Sequence, residues 1–342
     1  MRFLVIRLSS IGDIVHTLPA VAALGEAFPA AEISWAVEKR YACLVEENPY
    51  LKRTETLDTF GWRKRRNPVK TLREIAGSVR ALRGERYDAV IDFQGLVKTG
   101  LIARMCRSPR RIGFAKWVHR EPGAGFFYTD QVPPPLGKHV IEQNLALVEH
   151  LGASANTWQF PLPLNSGDER SAEAALEKQN IREFILVSPG GGWVAKRWSP
   201  ENYAALIGKL EAEFPWAVVL TGSPAERAEI AEILRASSSR RARYVSATLG
   251  ELIALARRAS LFIGGDTGPL HIAAALGVPI VALYGPTDSA RNGPFSAEDI
   301  SLSTRQPVNH TRRSKSSRFL EGISPEEVLA AVRERMARVH EA

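Results

Sequence analysis

Residues 261–288, LFIGGDTGPLHIAAALGVPIVALYGPTD, constrain the chain more than any other stretch, because they admit one economical local structure. The apolar run Leu261-Phe262-Ile263 ends in Gly264-Gly265-Asp266-Thr267-Gly268. Leu270 to Leu276 is alanine-rich and suits a helix, Gly277-Val278-Pro279 stops it, and Ile280 to Leu283 reads as a second buried strand. Strand, tight loop, helix, strand is the grammar of a parallel α/β sheet. There the loop and first helical turn lie at the carboxyl ends of the strands, where unpaired N–H groups and the helix dipole favour a phosphate. Gly265 and Gly268 let the backbone come close, while Asp266, Thr267 and His271 add an acceptor, a hydroxyl and an imidazole that a plain helix start does not require. Each also has a local use, as N-cap, turn residue or packed histidine. With Tyr284-Gly285-Pro286-Thr287-Asp288 closing the next strand on the same edge, the combination favours a ligand site.

The same grammar opens the chain. Residues 2 to 6 read as a buried strand, then come Ser9-Ser10-Ile11-Gly12-Asp13 and a helix from about Ile14 to Phe28. Ser10 and Asp13 have capping-box spacing, so Asp13 is either a helix-start carboxylate or a general base at the sheet's carboxyl edge. Strands follow at Glu32 to Val37, Thr54 to Asp58 and Ala89 to Phe93, with a helix at Val69 to Arg83 and another from Leu96 to Cys106 after Asp92-Phe93-Gln94-Gly95. Arg111-Ile112-Gly113-Phe114 is a further short strand, Ala115 to Gly137 a long loop, and His139 to Leu151 a helix. Alternation of this kind predicts a parallel sheet covered on both faces.

Residues 152 to 182 read as the linker, with a short helix from Glu169 to Gln179. Phe184 to Val187 then runs into Ser188-Pro189-Gly190-Gly191-Gly192, with Lys196 four residues past the last glycine, which suits a loop around a diphosphate. A full Walker pattern is missing, which disfavours a P-loop nucleotidase. Ser223-Pro224-Ala225-Glu226 is a capping box, sufficient for Glu226 unless the fold sets it beside a ribose. A strand over 243–246 and a helix over 248–258 lead back to the opening stretch, Arg312-Arg313-Ser314-Lys315 is a basic loop, and Ser324-Pro325-Glu326-Glu327 starts a final helix to about Val339.

At 342 residues the chain exceeds what one core serves, so two domains are expected. Cys43 and Cys106 fit no metal or redox spacing and point to a reducing compartment. No signal-peptide core or membrane-spanning run is present, so a cytoplasmic protein is expected, able to touch a membrane surface. Net charge is +8, and residues 1 to 150 hold 23 Lys plus Arg against 16 Asp plus Glu. Arg63-Lys64-Arg65-Arg66 with Lys70, Arg73, Arg80, Arg83 and Arg86 form one cluster, and Lys98 to Arg120 holds seven cations and no acid. Such a field attracts a polyanion. A nucleic-acid or anionic-membrane module would meet the charge, but no nucleic-acid motif accompanies it, and none is expected as a partner.

Two glycine-loop halves, a loop carboxylate in the first, a diphosphate-type site in the second and no DxD metal motif resemble a two-domain glycosyltransferase of the GT-B type. The chain resembles the lipopolysaccharide heptosyltransferases of glycosyltransferase family 9 over nearly its whole length. The likeness rests on Ser9-Ser10-Ile11-Gly12-Asp13 with Leu18-Pro19-Ala20, Asp92-Phe93-Gln94-Gly95-Leu96-Val97-Lys98, Lys196-Arg197-Trp198, Gly265-Asp266-Thr267-Gly268 with His271, and Tyr284-Gly285-Pro286-Thr287-Asp288. Asp-x-Gln-Gly-Leu-x-Lys and Arg120-Glu121-Pro122 look like the type I enzymes.

The resemblance implies an α/β protein with two Rossmann-like parallel-sheet domains facing a central cleft. Residues 1–160 would bind the acceptor and 161–322 the nucleotide sugar, with 323–342 a helix packing back on the first domain. It implies inverting transfer of L-glycero-D-manno-heptose from ADP-heptose to Kdo (3-deoxy-D-manno-octulosonate) of the lipid A inner core. The protein would act as a monomer without cofactor or metal, at the cytoplasmic face of the inner membrane. By position Asp13 matches the general base; Gly191, Gly192, Lys196, Glu226, Asp266, Thr267, Gly268 and His271 match donor-binding positions. Ser10, Arg63, Lys64, Gln94, Lys98 and Arg120 are the acceptor-binding candidates. Gly191-Gly192 stands where close members have a threonine pair, so the diphosphate contacts made there by hydroxyls must come from the backbone or be absent. The alternatives are a type II or other family 9 acceptor, and a nucleotide-sugar epimerase of the same fold.

Overall fold

The computed structural model describes residues 1–64, 67–115, 121–155, 157–192, 196–304 and 320–341. It divides into two compact units, Met1–Pro163 and Leu164–Ala342.

In the first unit, strands β1 (Arg2–Ile6), β2 (Glu32–Glu38), β3 (Arg53–Leu57), β4 (Ala89–Asp92), β5 (Arg110–Phe114) and β6 (Asp130–Val132) form one sheet in the order β3-β2-β1-β4-β5-β6. Every pairing is parallel. The central strands are apolar on both faces because helices cover both. These are α1 (Ile11–Val15), α2 (Leu18–Ala27), α3 (Thr59–Lys64), α4 (Pro68–Gly84), α5 (Val97–Met105) and α6 (Val140–Glu149). The helix expected to run unbroken from Ile14 to Phe28 is instead two. Pro19, at the start of α2, lacks the N–H that a continuous helix would bond back to Val15, and the chain turns at His16-Thr17. The Thr17 hydroxyl donates to the Asp13 carbonyl (2.8 Å) and steadies the turn.

In the second unit, β7 (Phe184–Ser188), β8 (Ala217–Leu220), β9 (Ala242–Tyr244), β10 (Leu261–Gly265), β11 (Ile280–Tyr284) and β12 (Ile300–Ser303) run in the order β12-β11-β10-β7-β8-β9. Numbered within its own half, this is the order of the first sheet. Its helices are α7 (Ser166–Glu177), α8 (Pro200–Glu213), α9 (Arg227–Ser237), α10 (Leu249–Arg258), α11 (Gly268–Ala275), α12 (Ser289–Asn292) and α13 (Pro325–Glu341).

The final helix corrects one expectation. Val328, Leu329, Val332 and Met336 of α13 are buried in the second unit's core with Trp198, Leu206 and Leu283. Arg335, also on α13, pairs with buried Asp299 at 2.9 Å. This helix completes the second unit, where packing back on the first had been expected, because its apolar stripe covers α8 and β11.

An open parallel sheet of this order has one switch point, where successive connections leave on opposite faces and the loops beyond the strands part to leave a crevice. In the first unit it lies between β1 and β4, where Ile6 faces Asp92 in register. In the second it lies between β10 and β7, where Gly264 faces Ser188. The glycine loops singled out in the sequence therefore occupy both switch points.

Candidate functional site

Beyond β1, Asp13 sits on the first turn of α1 with its side chain 43% exposed. One carboxylate oxygen, Oδ2, accepts from the Ser10 N–H (2.9 Å) and the Ser10 hydroxyl (2.8 Å). The other, Oδ1, faces an amino group of the buried Arg7 guanidinium at 2.6 Å. Burial alone would raise this carboxyl, but the Arg7 charge and the two Ser10 hydrogen bonds outweigh it and hold Asp13 well below the usual carboxylate range. Asp13 is thus both the capping-box carboxylate and an ionised group at the switch point.

The loop after β4 braces it. The Gln94 amide oxygen accepts from the Leu8 N–H (2.7 Å), and its NH2 donates to the Ser9 hydroxyl (3.3 Å). Buried Asp92 fixes this loop, accepting from the N–H groups of Gln94 (2.9 Å) and Gly95 (3.2 Å) and from the Tyr128 hydroxyl (2.7 Å). Ser10 and Gln94 are therefore engaged in shaping the loop that carries Asp13.

Of the acceptor candidates, Arg63 and Lys64 end α3 and are exposed, and Lys98 stands half-buried on the first turn of α5. Burial and the nearby Arg63 charge lower the Lys98 ammonium, while Glu38 and Glu121 partly oppose them. Arg63 and Lys98 thus act on one another, with Glu38 and Glu121 beside them. Arg120 lies outside the described residues, as do Arg65 and Arg66.

In the second unit, Asp266 follows β10 and is only 5% exposed. Its Oδ1 is bonded by His271 Nε2 (3.2 Å) and by the Asn292 NH2 (2.9 Å), and its Oδ2 pairs with the Lys196 ammonium. Lys196 also donates to the Asp266 carbonyl (3.0 Å). Burial works to raise this carboxyl, but His271 and Lys196 together press it far below the ordinary range. The carboxylate therefore anchors one cation and one imidazole at the start of α11. Gly265 allows this, since a Cβ there would lie 2.9 Å from the Lys196 carbonyl. Thr267 and Gly268 form the half-buried turn into α11, and the Thr267 hydroxyl donates to the Gly265 carbonyl (3.3 Å).

Facing this turn across the switch point is the loop after β7. Arg197 grips the Gly191 carbonyl through Nε (3.2 Å) and a terminal amino group (3.1 Å), and pairs with Glu229 (2.9 Å). Glu226 Oε2 accepts from the Ser223 N–H and hydroxyl, both at 2.7 Å, as its capping box requires. Its Oε1 lies against Gly190, where a Cβ would come within 1.9 Å. Glu226 therefore caps a helix and also lines the glycine loop. Gly192 is exposed.

Sequence reasoning missed three contributors. Arg7 belongs to no glycine-loop motif, yet a cation ending a buried strand signals a buried partner. Arg197 and Asn292 stood in or beside quoted motifs, but their partners lie on other elements. Among the described residues, no cluster of His, Cys, Asp and Glu is arranged to hold a metal ion.

Comparison with known proteins identifies the family and the fold. A family model described as glycosyltransferase family 9 (heptosyltransferase) matches residues 76–320. A Pseudomonas aeruginosa protein named lipopolysaccharide heptosyltransferase 1 is 31% identical over 90% of this chain and 85% of its own. The Escherichia coli heptosyltransferase WaaC, solved with ADP, superposes with a TM-score of 0.81 at 25% identity, covering 98% of this chain and all of that one. The same enzyme solved with ADP-2-deoxy-2-fluoro heptose gives 0.76 at 26% identity, with coverage of 98% and 99%.

Proposed function

The chain belongs to glycosyltransferase family 9, the heptosyltransferases, and from that premise we propose that it transfers L-glycero-D-manno-heptose from ADP-heptose to Kdo of the lipid A inner core. Transfer inverts the anomeric carbon. The observation that carries the donor side is the Lys196–Asp266–His271 cluster, set between the glycine loop and the start of α11. A fixed cation and the free N–H groups of a helix start are what a departing diphosphate needs. The solved WaaC structures with ADP and with a fluorinated ADP-heptose support that donor.

On the acceptor side, Asp13 takes the proton of the Kdo hydroxyl as its oxygen attacks the anomeric carbon and the bond to the diphosphate breaks. Arg63, Lys64, Lys98 and Arg120 meet the acceptor's carboxylates and phosphates, and Ser10 and Gln94 hold the loop that carries Asp13. The protein acts as a monomer, without a metal ion, at the cytoplasmic face of the inner membrane. Among the described residues no helix is long and apolar enough to cross a membrane. The type 1 acceptor is favoured by the name shared by several relatives, including those from P. aeruginosa and E. coli. The chain is also similar to an Escherichia coli protein named lipopolysaccharide heptosyltransferase 3, and transfer to a different lipopolysaccharide acceptor is the second reading.

A mass-spectrometric transfer assay tests both sides at once. Purified protein is incubated with ADP-heptose and de-acylated Kdo-lipid A, with arms lacking acceptor, containing UDP- or GDP-sugars, or containing a chelator. A heptose-sized gain that needs ADP-heptose and survives chelation is the expected result. ADP-heptose binding without transfer would overturn the acceptor, and loss on chelation would overturn the metal-free reading.

A further inference from the structure

Arg7 is the first residue beyond β1 and is 8% exposed. Its backbone is fixed by β2, with its N–H donating to the Ala36 carbonyl (3.2 Å) and its carbonyl accepting from the Trp35 indole (3.1 Å). Its guanidinium donates to the Phe93 carbonyl just beyond β4 and reaches Asp13 Oδ1 with another amino group. A single buried cation thus ties both switch-point strands of the first unit to the carboxylate on α1. A guanidinium is a planar fork, so fixing one prong on Phe93 aims the other.

The consequence lies in how the two carboxylate oxygens differ. Oδ2 holds two donors from Ser10, and Oδ1 holds one from Arg7. An ionised carboxylate oxygen has two lone pairs, so Oδ1 retains the place for an incoming proton. We propose that Arg7 is a positioning residue for transfer, turning Asp13 so that Oδ1 receives the acceptor's proton. This rests on Asp13 as the base. The acceptor O–H proton passes to Oδ1, the acceptor oxygen bonds to the anomeric carbon, and the diphosphate leaves with the electron pair of the broken C–O bond.

The other groups that act on this site leave Arg7 as the main control. His16, at the end of α1, reinforces the ionised form. Tyr41, on the turn after β2, feels Asp13 together with Arg40 and Glu38, and Ser10 supplies hydrogen bonds but no charge. Burial pushes the Asp13 carboxyl up and Arg7 is the largest influence holding it down, so removing Arg7 makes the base more readily protonated.

The test is the pH dependence of kcat and kcat/KM for the intact protein and for the Arg7→Met, Arg7→Lys and Asp13→Asn variants, with a melting curve for each. The unaltered enzyme is expected to show no acid limb above the ordinary aspartate value of about 3.9. Arg7→Met is expected to show one above that value, with a tenfold fall per pH unit below it. Its kcat drops while KM for ADP-heptose stays near normal. Arg7→Lys keeps the charge without the fork, so its acid side stays flat while kcat falls several-fold. A folded Arg7→Met enzyme with a flat acid side, or Arg7→Lys with unchanged kcat, overturns the role of Arg7. Full activity in Asp13→Asn would instead overturn Asp13 as the base, so the two failures are distinguishable. Should Arg7→Met fail to fold, Arg7→Lys decides.

Discussion

A methyl group added at Gly190 would sit 1.9 Å from Glu226 Oε1, whereas one added at Gly192 would meet nothing within 4 Å among the described residues. The two glycines of one loop therefore carry different constraints. Gly190→Ala is expected to displace the Glu226 carboxylate and break its capping box, costing about 1 kcal/mol of stability. ADP affinity should fall several-fold, and Glu226→Ala should do the same with the double variant no worse than either, since both remove one interaction. Gly192→Ala should stay within about 0.5 kcal/mol of the unaltered protein. Thermal melts and ADP titration calorimetry read both effects, and undiminished ADP binding by Gly190→Ala would remove Glu226 from the nucleotide site. At this scale the sequence shows residues whose meaning is local. Asp13, Lys196, Asp266 and His271 are legible because each stands in or just after a glycine loop that ends an apolar run. Arg7 and Asn292 are not, since Phe93 is 86 positions from Arg7 and Asp266 is 26 from Asn292. Such partners become neighbours only when strands pair.

For a helix of 17 residues, little of α4 is buried. Leu82 is its only buried residue, and Val69 and Leu72 are 56% and 65% exposed. Val69, Leu72, Arg73, Ala76, Arg80 and Arg83 follow three- and four-residue spacing, and all are exposed, so they form one outward stripe. Apolar side chains at one end and arginines along the rest, without an acid, fit the surface of an anionic bilayer. This supports the peripheral membrane position proposed above. Sedimentation with vesicles containing an anionic lipid should retain the protein at low salt, and vesicles of zwitterionic lipid alone should not. Leu72→Glu with Val69→Ser should cut that retention several-fold while leaving the melting temperature unchanged; equal retention would mean another surface makes contact. The sequence marked α4 closely because its period is regular and Asn67-Pro68 caps it. It did not mark α3, β6, β12 or α12. Each has six residues or fewer, and β12 alternates half-buried with exposed residues at the rim of its sheet. Short elements of this kind are held by tertiary pairing and by single hydrogen bonds such as Tyr284 to the Asn292 carbonyl (3.1 Å).

For the whole molecule, charge and chemistry divide along the chain. The first 150 residues carry a net +7 and the rest only +1. Every donor candidate lies in the second unit, and Asp13 with all the acceptor candidates in the first. Hydrogen exchange on the full chain should therefore show ADP slowing exchange in peptides around residues 186–192, 222–229 and 264–272, with peptides around 6–13 and 92–98 unchanged. Protection of the first set by a Kdo-containing acceptor instead would reverse the assignment. Both sheets were legible as parallel and glycine-looped, because alternating apolar runs and helices leave few other arrangements. Their shared strand order was not, since only pairing fixes it. Neither sheet takes a strand from the other, so a mutation that reshapes the loops of one leaves the register of the other untouched. On the proposed division of sites, the choice of sugar recipient is thus open to revision in one half of the chain without rebuilding the half that holds the activated sugar.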